Sequence, residues 1–465
     1  MRRSSPLATL LATAALACNA GAGGTPVNPG CTPVCAGKAC GDDGCGGSCS
    51  VCKDPLVCEA GQCVAKTPLD LPRVPWEGGP AYYESFPVAR DAGWTDPTFF
   101  PIGVWFESVI TQGDVDLDKA AGLNLYVELT ENSDMELVRQ NGMSAIPSST
   151  GLGGSATVGW LLTDEADMNF GPGSDPWNGE YDWTSCVPVQ EQGGQCGYTV
   201  MKTLLDGFPA GDRRLKYANY GKGVMLWEDD AEAARFVNGF TQLVSNDLYW
   251  YTDPNICSEM PTWLGLPSST CRLAANYGVT MDKMRRLDAL DGHRQPIFAF
   301  VEDGHPFSED DAPTITGPQL AGAVMSSLIH EARGIIYFNH NFGGPCQDQH
   351  VLRNCGRTTI RPAVTEINRR VRTLAAVLNS QSYQHVFNPR LDTMLKAHDG
   401  AYYVFAMLGR AEPTGTYTFT LPVGMGGAAA EVLFEDRSVA IAAGAFTDTF
   451  AAEYAYHVYR IVPAP

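Results

Sequence analysis

Residues 158–168 read VGWLLTDEADM, and residues 296–305 read PIFAFVEDGH. Each segment is a short apolar run that ends in acidic residues, a pattern typical of a buried parallel strand with functional side chains at its carboxyl end. Glu165 follows the first run and Glu302 ends the second. The two segments therefore predict an α/β fold in which both glutamates lie at the same face of a parallel sheet.

Six further apolar runs flank these two within residues 91–382, and helix-like stretches such as DAEAARFVNGF separate the runs. In chain order the six are PIGVWFES, LNLYVELT, MSAIPSS, LKYANYG, NDLYWYTDP and GIIYFNHNFGG. Eight β-α units over this length are the size of a (β/α)8 TIM barrel with insertions. The segments that contain Glu165 and Glu302 are then the fourth and seventh strands.

The N-terminus has the pattern of an export signal. Residues 1–17 combine two arginines with a short apolar run, which is typical of a signal peptide, and they end before Cys18 as at a lipoprotein cleavage site. We therefore expect lipidation of Cys18 and anchoring to the bacterial outer membrane or cell surface, with the membrane contacted only through this lipid. Ordinary secretion after cleavage near Ala17 is the alternative.

A flexible tether over 18–30 precedes a Cys-rich module over 31–63, and a Pro-rich linker over 64–90 leads to the barrel. Eight cysteines in this module require about four disulfides, because so short a segment cannot build an apolar core. The module resembles the small Gly-rich, Cys-rich modules that follow lipoprotein signals in some bacterial surface proteins. It is either a rigid spacer or a site that binds glycan or protein.

Three long loops of the predicted barrel, over 169–199, 253–276 and 341–360, follow the fourth, sixth and eighth strands. They therefore lie on the C-terminal face, where barrels build active sites, and they are expected to wall a substrate cleft. Each loop contains one close cysteine pair that we expect to be a disulfide: Cys186–Cys196, Cys257–Cys271 and Cys346–Cys355. After the barrel, alternating strand patterns over 383–465 predict an antiparallel β-sandwich.

The formal charge of −20 argues against nucleic acid and anionic membranes as partners, since both require clustered Lys and Arg. The first predicted strand lacks the His-x-His pair of metal-dependent amidohydrolases, and no Gly-x-Ser-x-Gly of a serine hydrolase occurs. We expect a monomer that needs no metal or cofactor. Two carboxyls at the barrel mouth favour carbohydrate chemistry, because retaining hydrolysis of a glycosidic bond requires such a pair about 5 Å apart.

The predicted barrel resembles the clan A glycoside hydrolases over about residues 91–380. That family carries an acid/base glutamate after the fourth strand and a nucleophilic glutamate after the seventh. The resemblance implies that Glu165 is the acid/base and Glu302 the nucleophile of a retaining glycoside hydrolase. One departure is Asp164, because many members have Asn at that position, where it hydrogen-bonds the sugar 2-hydroxyl; a second carboxylate there would raise the pKa of Glu165.

Further candidates for substrate binding follow from their positions near strand ends. A tyrosine on the predicted sixth strand could hydrogen-bond Glu302 and hold it ionised. These candidates are Asp164, Trp105, Glu128, Asn219, Tyr220, Asp247, Tyr249, Tyr251, His340 and Asn341. The alternative function is that of a non-catalytic surface lipoprotein that binds glycans on a glycosidase-like barrel.

Overall fold

The computed structural model describes residues 69–174, 195–309 and 311–463 and, nearer the N-terminus, residues 35, 38–41, 43, 48–53, 56–59 and 62–65. The predicted signal peptide, Cys18 and the tether lie outside the described residues. The chain divides into two compact units, Met1–Pro68 and Leu69–Pro465. In the described part of the chain, no helix is long and apolar enough to cross a membrane.

The N-terminal unit is a disulfide-rich module. Strands β1 (Leu56–Glu59) and β2 (Gln62–Ala65) pair antiparallel. Three disulfides join cysteines of the described residues: Cys35–Cys49, Cys40–Cys58 and Cys52–Cys63. They supply the connectivity, which the sequence pattern left open, for six of the eight cysteines of the module.

The second unit contains the predicted barrel. Eight parallel strands follow the order β5-β4-β3-β10-β9-β8-β7-β6, which confirms the predicted fold class. A bridge between Ala145 and Thr157, with two backbone hydrogen bonds from Ala145 N to Ala156 O and from Val158 N to Ala145 O, joins the two outer strands. The strands are β3 (Ile102–Glu107), β4 (Leu125–Leu129), β5 (Ser144–Ile146), β6 (Gly159–Asp164), β7 (Leu215–Tyr220), β8 (Leu243–Asn246), β9 (Ile297–Glu302) and β10 (Gly334–Phe338).

Side chains that alternate in direction along these strands contribute to two separate hydrophobic cores, one in the barrel lumen and one between the strands and the helices. In β9, Phe298 and Phe300 belong to the cluster that fills the barrel lumen, while Ala299 and Val301 belong to the cluster beneath the surrounding helices. The helices are α1 (Pro87–Asp91), α2 (Gln112–Ala120), α3 (Met135–Gln140), α4 (Ala166–Phe170), α5 (Gly197–Asp206), α6 (Asp230–Gly239), α7 (Ile256–Trp263), α8 (Ala275–Asp288), α9 (Gly317–Ile329), α10 (Arg361–Thr373) and α11 (Ala375–Leu378).

Two sequence predictions need correction. The sixth strand is β8, Leu243–Asn246, and the predicted segment NDLYWYTDP is mostly the loop that follows it, because the aromatic residues there pack over the end of the barrel. Residues 69–90, predicted as linker, are part of the second unit. Their burial explains why, since Tyr83 is 5% exposed and packs edge-to-face on Trp94 in the lumen core.

The C-terminal part is an antiparallel sheet domain, as predicted. A six-stranded sheet has the order β11-β12-β13-β18-β15-β16, and β14 pairs with β17. Its strands are β11 (Ser382–Tyr383), β12 (Leu391–His398), β13 (Ala401–Leu408), β14 (Gly415–Thr420), β15 (Ala429–Val432), β16 (Arg437–Ala440), β17 (Ala445–Phe450) and β18 (Tyr456–Ile461). Aromatic residues from both sheets share its core, where Phe419 stacks on Phe446 with ring centroids 4.5 Å apart.

The two predicted loop disulfides within the described residues, Cys257–Cys271 and Cys346–Cys355, are present. The third predicted pair includes Cys186, which lies outside the described residues. Both observed bridges fall in loops after barrel strands, β8 and β10 respectively, and so brace the face on which the acidic residues lie.

Candidate active site

A chain of hydrogen bonds orients Asp164 at the C-terminal end of β6. Asn219 Nδ2 donates to Asp164 Oδ1 at 3.0 Å, and Ser245 Oγ donates to Asn219 Oδ1 at 2.6 Å. The hydroxyl of Tyr217 lies 2.6 Å from the same Ser245 oxygen. These residues lie on the lumen-facing side of three adjacent strands, β6, β7 and β8. Because side chains alternate in direction along a strand, the four side chains lie close together. Asp164 remains exposed to solvent, while protein packed around it raises its pKa to about 6.

Glu165 follows directly and has a left-handed backbone, with φ of 49°. The pairing of β6 with β7 shifts register between Leu161 and Asp164, and the Glu165 N–H donates to Asn219 O at 2.9 Å. A non-glycine residue in this region is strained, and such strain concentrates at functional sites. Phe106 and Glu128, near the ends of β3 and β4, also have positive φ values, of 53° and 56°.

The carboxyl of Glu165 is half-buried and hydrogen-bonds the carboxyl of Asp247. Burial raises the pKa of Glu165 to about 7, and the negative charge of Asp164 adds to the rise, while the bond from Asp247 opposes it. Glu165 thus holds a proton for part of the time near neutral pH. That property is the one a general acid requires.

Asp247 is the first residue after β8 and is 7% exposed. Burial, together with the charges of Glu165 and Asp164, holds its pKa well above the usual range, so Asp247 carries the proton that it shares with Glu165. The Tyr249 hydroxyl lies 3.5 Å from Asp247 Oδ2. No donor of the described residues bonds Asp247 Oδ1.

Glu302 ends β9 and has no exposed surface. Its Oε1 accepts from the backbone N–H of Tyr251 at 3.0 Å and lies 3.5 Å from the Thr252 hydroxyl, and its Oε2 accepts from the hydroxyl of Tyr277. Burial raises the pKa of Glu302, and these donors oppose the rise by stabilising the ionised carboxylate. The sequence predicted that a tyrosine of the sixth strand would bond Glu302, but the hydroxyl comes from Tyr277 on α8.

Glu165 and Glu302 occupy different surroundings. The charges that shift the pKa of Glu165 most are those of Asp164, Asp167 and Lys222, and Glu302 is instead surrounded by its three donors. Burial holds the pKa of the Tyr249 hydroxyl well above its usual range, and the charges of Asp247, Glu165, Asp164 and Glu302 add to the rise.

Aromatic rings gather beside the acids at the top of the lumen. Tyr249 packs against Phe338 and Phe307 with centroids 5.3 and 5.8 Å apart, and Phe338 lies 6.1 Å from Phe342. Phe342 is 48% exposed. Exposed rings next to hydrogen-bonding carboxyls match the mixed apolar and polar character of a small-molecule or glycan site.

Glu128 lies on the same face and is half-buried. Its two carboxylate oxygens accept from the N–H and hydroxyl of Ser148, each at 2.9 Å. Burial raises its pKa, the bonds from Ser148 oppose the rise, and the charge of Asp164 adds to it. Glu128 therefore joins Asp164 in a region of negative charge.

The structure assigns other roles to five predicted binding residues. Tyr220 points to the helix layer and donates to Phe236 O at 2.6 Å. The hydroxyl of Tyr251 donates to Glu453 at 2.6 Å. The remaining three support the site from below or hold its loops: Trp105 packs edge-to-face on Phe300 and is 7% exposed, His340 is 3% exposed beneath the ring cluster, and Asn341 accepts from His305 N and donates to Cys346 O.

Sequence reasoning missed Ser245, Tyr277 and Phe338. Ser245 was missed because the sixth strand was predicted too late in the chain, although alternation from Leu243 would have placed it in the lumen. Phe338 lies at the end of β10, in an apolar run whose pattern predicts only a buried strand. Tyr277 sits within a helix and no local pattern links it to Glu302.

In the part of the chain that the structure describes, no group of three or more acids or histidines at the site brings its ligand atoms within 4.8 Å of one another. Among the described residues, Cys40, Cys52 and Cys63 are the one group of at least three potential ligands whose ligand atoms all lie within 4.8 Å of one another, and each is in a disulfide.

The fold and site define a barrel with clustered carboxyls at its C-terminal face. The sequence matches no family model and no curated protein. Among solved structures it is similar to an Anoxybacillus α-amylase, with 11% identity over 79% of this chain and 99% of that one and a TM-score of 0.42. An α-amylase from Geobacillus thermoleovorans has 9% identity over 78% and 98%, with a TM-score of 0.45. A GH30 endoxylanase from Clostridium papyrosolvens has 10% identity over 79% and 97%, with a TM-score of 0.32.

Proposed function

We propose that this protein hydrolyses glycosidic bonds and that Glu165 is the proton donor. The observation that carries the proposal is the carboxyl pair of Glu165 and Asp247 at the barrel mouth. Burial raises the pKa of Glu165 to about 7, so the side chain donates a proton at neutral pH and accepts one after donation. A leaving alkoxide needs such a donor, because an unprotonated sugar oxygen leaves too slowly.

Glu302 is the proposed nucleophile of a retaining double displacement. Its position at the end of the seventh barrel strand supports the role, as do the donors Tyr251 N–H, Thr252 and Tyr277, which favour the ionised form. In the first step Glu302 would attack the anomeric carbon while Glu165 protonates the leaving oxygen. In the second step Glu165 would remove a proton from a water molecule as the water oxygen attacks the anomeric carbon. The bond from that carbon to Glu302 breaks, which releases the sugar and restores both carboxyls.

The remaining site residues suit a polyhydroxylated substrate. Asp164, oriented by Asn219, offers hydrogen-bonding groups to sugar hydroxyls, and the aromatic group of Tyr249, Phe338 and Phe342 offers apolar faces to the C–H side of a pyranose ring. These contacts would fix the sugar beside Glu165.

A second candidate function follows from the enclosure of Glu302. A nucleophile must reach the substrate, whereas this carboxylate has no exposed surface and three bonded donors. A glycan-binding protein that does not cleave its ligand is therefore the alternative.

The deciding experiment measures reducing ends released from a broad glycan panel by the full-length chain and by Glu165→Gln and Glu302→Gln. The control is Glu131→Gln, an exposed glutamate on the loop after β4. Hydrolysis by the parent and control, with a loss of about 10³-fold or more in both variants, supports the mechanism. Binding of a glycan without release by any form establishes the alternative.

A second measurement addresses stereochemistry. NMR observation of the first anomer released tests retention, and addition of azide to Glu302→Ala tests the nucleophile. Retention of configuration and formation of a glycosyl azide support Glu302, because azide replaces the missing carboxylate. Inversion of configuration excludes the covalent route.

Export and lipid anchoring are also proposals, which rest on residues 1–17 and on Cys18. Expression of the parent and of Cys18→Ser in a bacterial host, followed by membrane fractionation and mass spectrometry, tests them. A diacylglyceryl mass on the mature N-terminus of the parent supports anchoring. An unlipidated parent in the medium supports ordinary secretion.

A further inference from the structure

We propose that Glu453 of the C-terminal sheet domain is a positioning residue for Glu302, because it joins the two barrel segments that supply donors to that carboxylate. This inference rests on the proposed function, since it concerns the nucleophile of the same site. It comes from the two hydrogen bonds of Glu453, from the source of each donor to Glu302, and from the close packing of the Glu453 loop on the barrel helices.

Both carboxylate oxygens of Glu453 bind the barrel. Glu453 lies on the loop between β17 and β18 and is half-buried. Its Oε1 accepts from the hydroxyl of Tyr251 at 2.6 Å, and its Oε2 accepts from the backbone N–H of Ala274 at 2.8 Å. Tyr251 belongs to the loop after β8, and Ala274 is the N-cap of α8. One side chain of the C-terminal sheet domain thus holds two barrel segments, which flank the disulfide Cys257–Cys271.

The same two segments supply the donors to Glu302. The backbone N–H of Tyr251 and the hydroxyl of Thr252 come from the loop, and the hydroxyl of Tyr277 comes from the first turn of α8. Glu453 therefore fixes the side chain of the residue whose N–H bonds Glu302, and it fixes the start of the helix that carries Tyr277. The rings of Tyr251 and Tyr277 lie 6.0 Å apart. A movement of either segment would change the bonds that stabilise the ionised Glu302.

The loop that contains Glu453 packs closely on the barrel helices. Gly322 of α9 faces Tyr454, and a Cβ atom at Gly322 would lie 2.7 Å from Tyr454 Cβ and 2.8 Å from its carbonyl oxygen. Glycine at this position therefore allows the loop to approach α9, because any side chain would collide with the loop backbone. Arg410 of the same domain also contacts α8, where its guanidinium donates to Asn276 Oδ1 at 3.1 Å. Packing thus holds Glu453 in place, in addition to its own hydrogen bonds.

A positioning role predicts an effect on the ionisation of Glu302, which a contact that only adds stability would not have. Burial favours the protonated form of Glu302 and its donors favour the ionised form, so looser donors should raise its pKa. The titratable groups around Glu302 are Tyr249, Tyr251, Tyr277 and Asp303. Burial raises the pKa of all three tyrosines, which stay neutral below about pH 9 and do not obscure the titration of Glu302.

The test measures the pKa of Glu302 directly. The full-length chain is labelled with ¹³C at the glutamate side-chain carboxyls, and NMR titration follows the signal that Glu302→Gln removes. The variants are Glu453→Ala and Tyr251→Phe, which removes the other partner of the same hydrogen bond. The controls are Tyr456→Phe, which breaks a different hydrogen bond between α10 and the C-terminal sheet domain, and Asp399→Asn, an exposed turn residue of that domain.

We expect Glu453→Ala to raise the pKa of Glu302 by about one pH unit, and Tyr251→Phe to raise it as well, since either change frees the loop. The double variant should match Glu453→Ala alone, because both changes break one contact. Both controls should leave the pKa unchanged. An unchanged pKa of Glu302 in a folded Glu453→Ala, or an equal rise in Tyr456→Phe, overturns the inference. If Glu453→Ala does not fold, an unchanged pKa in Tyr251→Phe overturns it.

The titration requires no glycan, which separates this inference from the proposed function. With a glycan that the parent hydrolyses, Glu453→Ala should lower kcat by about tenfold with KM nearly unchanged, and it should move the acidic limb of the profile to higher pH. Hydrolysis that Glu302→Gln abolishes, together with an unchanged pKa of Glu302 in Glu453→Ala, supports the proposed function and refutes the inference. A raised pKa without hydrolysis of any glycan by the parent supports the positioning contact and contradicts the proposed function.

Discussion

The hydroxyl of Tyr277 donates a hydrogen bond to Oε2 of Glu302, from helix α8 to the end of strand β9. This bond favours the ionised carboxylate inside a fully buried setting, where burial alone favours the protonated form. The proposed nucleophile therefore depends on a residue of the outer helix layer. The packing of α8 against the barrel thus affects the ionisation of the Glu302 carboxyl.

Tyr277→Phe should raise the pKa of Glu302, because the substitution removes a donor to the charged form. A nucleophile must be ionised, so the acidic limb of kcat/KM should move to higher pH, by about one pH unit. The free energy of unfolding should fall by about 1–3 kcal/mol, since a buried carboxylate loses a partner. The matched control is Tyr402→Phe, whose buried hydroxyl has no partner among the described residues. An unchanged acidic limb of the kcat/KM profile would contradict the assignment of Glu302 as the nucleophile.

Asp164→Asn should lower the pKa of Glu165, because the negative charge of Asp164 contributes to the rise to about 7. A proton donor is active while protonated, so activity falls as pH increases through its pKa, and a lower pKa moves the alkaline limb to lower pH. We expect a displacement of about 0.5–1 pH unit in kcat/KM profiles. The same profile for Asp399→Asn should coincide with that of the parent. A displacement toward higher pH would contradict the assignment of Glu165 as the donor.

Strand patterns predicted the barrel and most of its strands, because buried parallel strands leave continuous apolar runs. They failed at the sixth strand, because its sequence LVSN is short and ends in polar residues. The aromatic residues of the following segment NDLYWY resemble a strand but pack over the end of the lumen instead. The end of β6 was predictable from one segment alone, and Asp164 and Glu165 lie where expected. The proximity of Asp247 to Glu165 could be seen only in the folded structure, since the two residues are far apart in sequence.

Positions at strand ends were easier to predict than side-chain directions. Tyr220 ends β7 as expected, but alternation turns it outward while Asn219 turns toward the lumen. The left-handed backbone at Phe106 and Glu128 changes the direction of the side chains that follow. No sequence pattern predicts this conformation at a non-glycine position. Contacts such as Tyr277 with Glu302 depend on how helices pack on the barrel, which local sequence does not encode.

The disulfide Cys257–Cys271 closes the loop after β8, next to residues that bond Glu302. Arg272, adjacent to the bridge, donates to the backbone carbonyls of Tyr251 and Asp253. Replacing both cysteines with serine should lower the free energy of unfolding by about 3 kcal/mol, because the unfolded chain regains the freedom of that loop. It should also reduce kcat/KM more than the equivalent change at Cys346–Cys355, whose loop does not bond Glu302. Chemical denaturation and steady-state rates of both double variants make the comparison, and an equal effect on rates would contradict it.

His330 joins the barrel helices to the C-terminal sheet. Its Nδ1 lies 2.9 Å from Asp282 on α8 and its Nε2 lies 3.5 Å from Asp392 on β12. Burial acts to lower the pKa of His330, but the two carboxylates outweigh it and raise the pKa to about 10. Because the folded pKa exceeds the unfolded value of about 6.5, this contribution to stability is complete below pH 6.5 and is lost as pH rises toward 10. His330→Gln should therefore lower Tm by about 2 °C at pH 5.5 and have a diminishing effect toward pH 10, when thermal unfolding is followed across this range. His293→Gln, at an exposed position, serves as the control and should leave Tm unchanged throughout. A difference that grows with increasing pH would show that His330 is neutral in the folded protein.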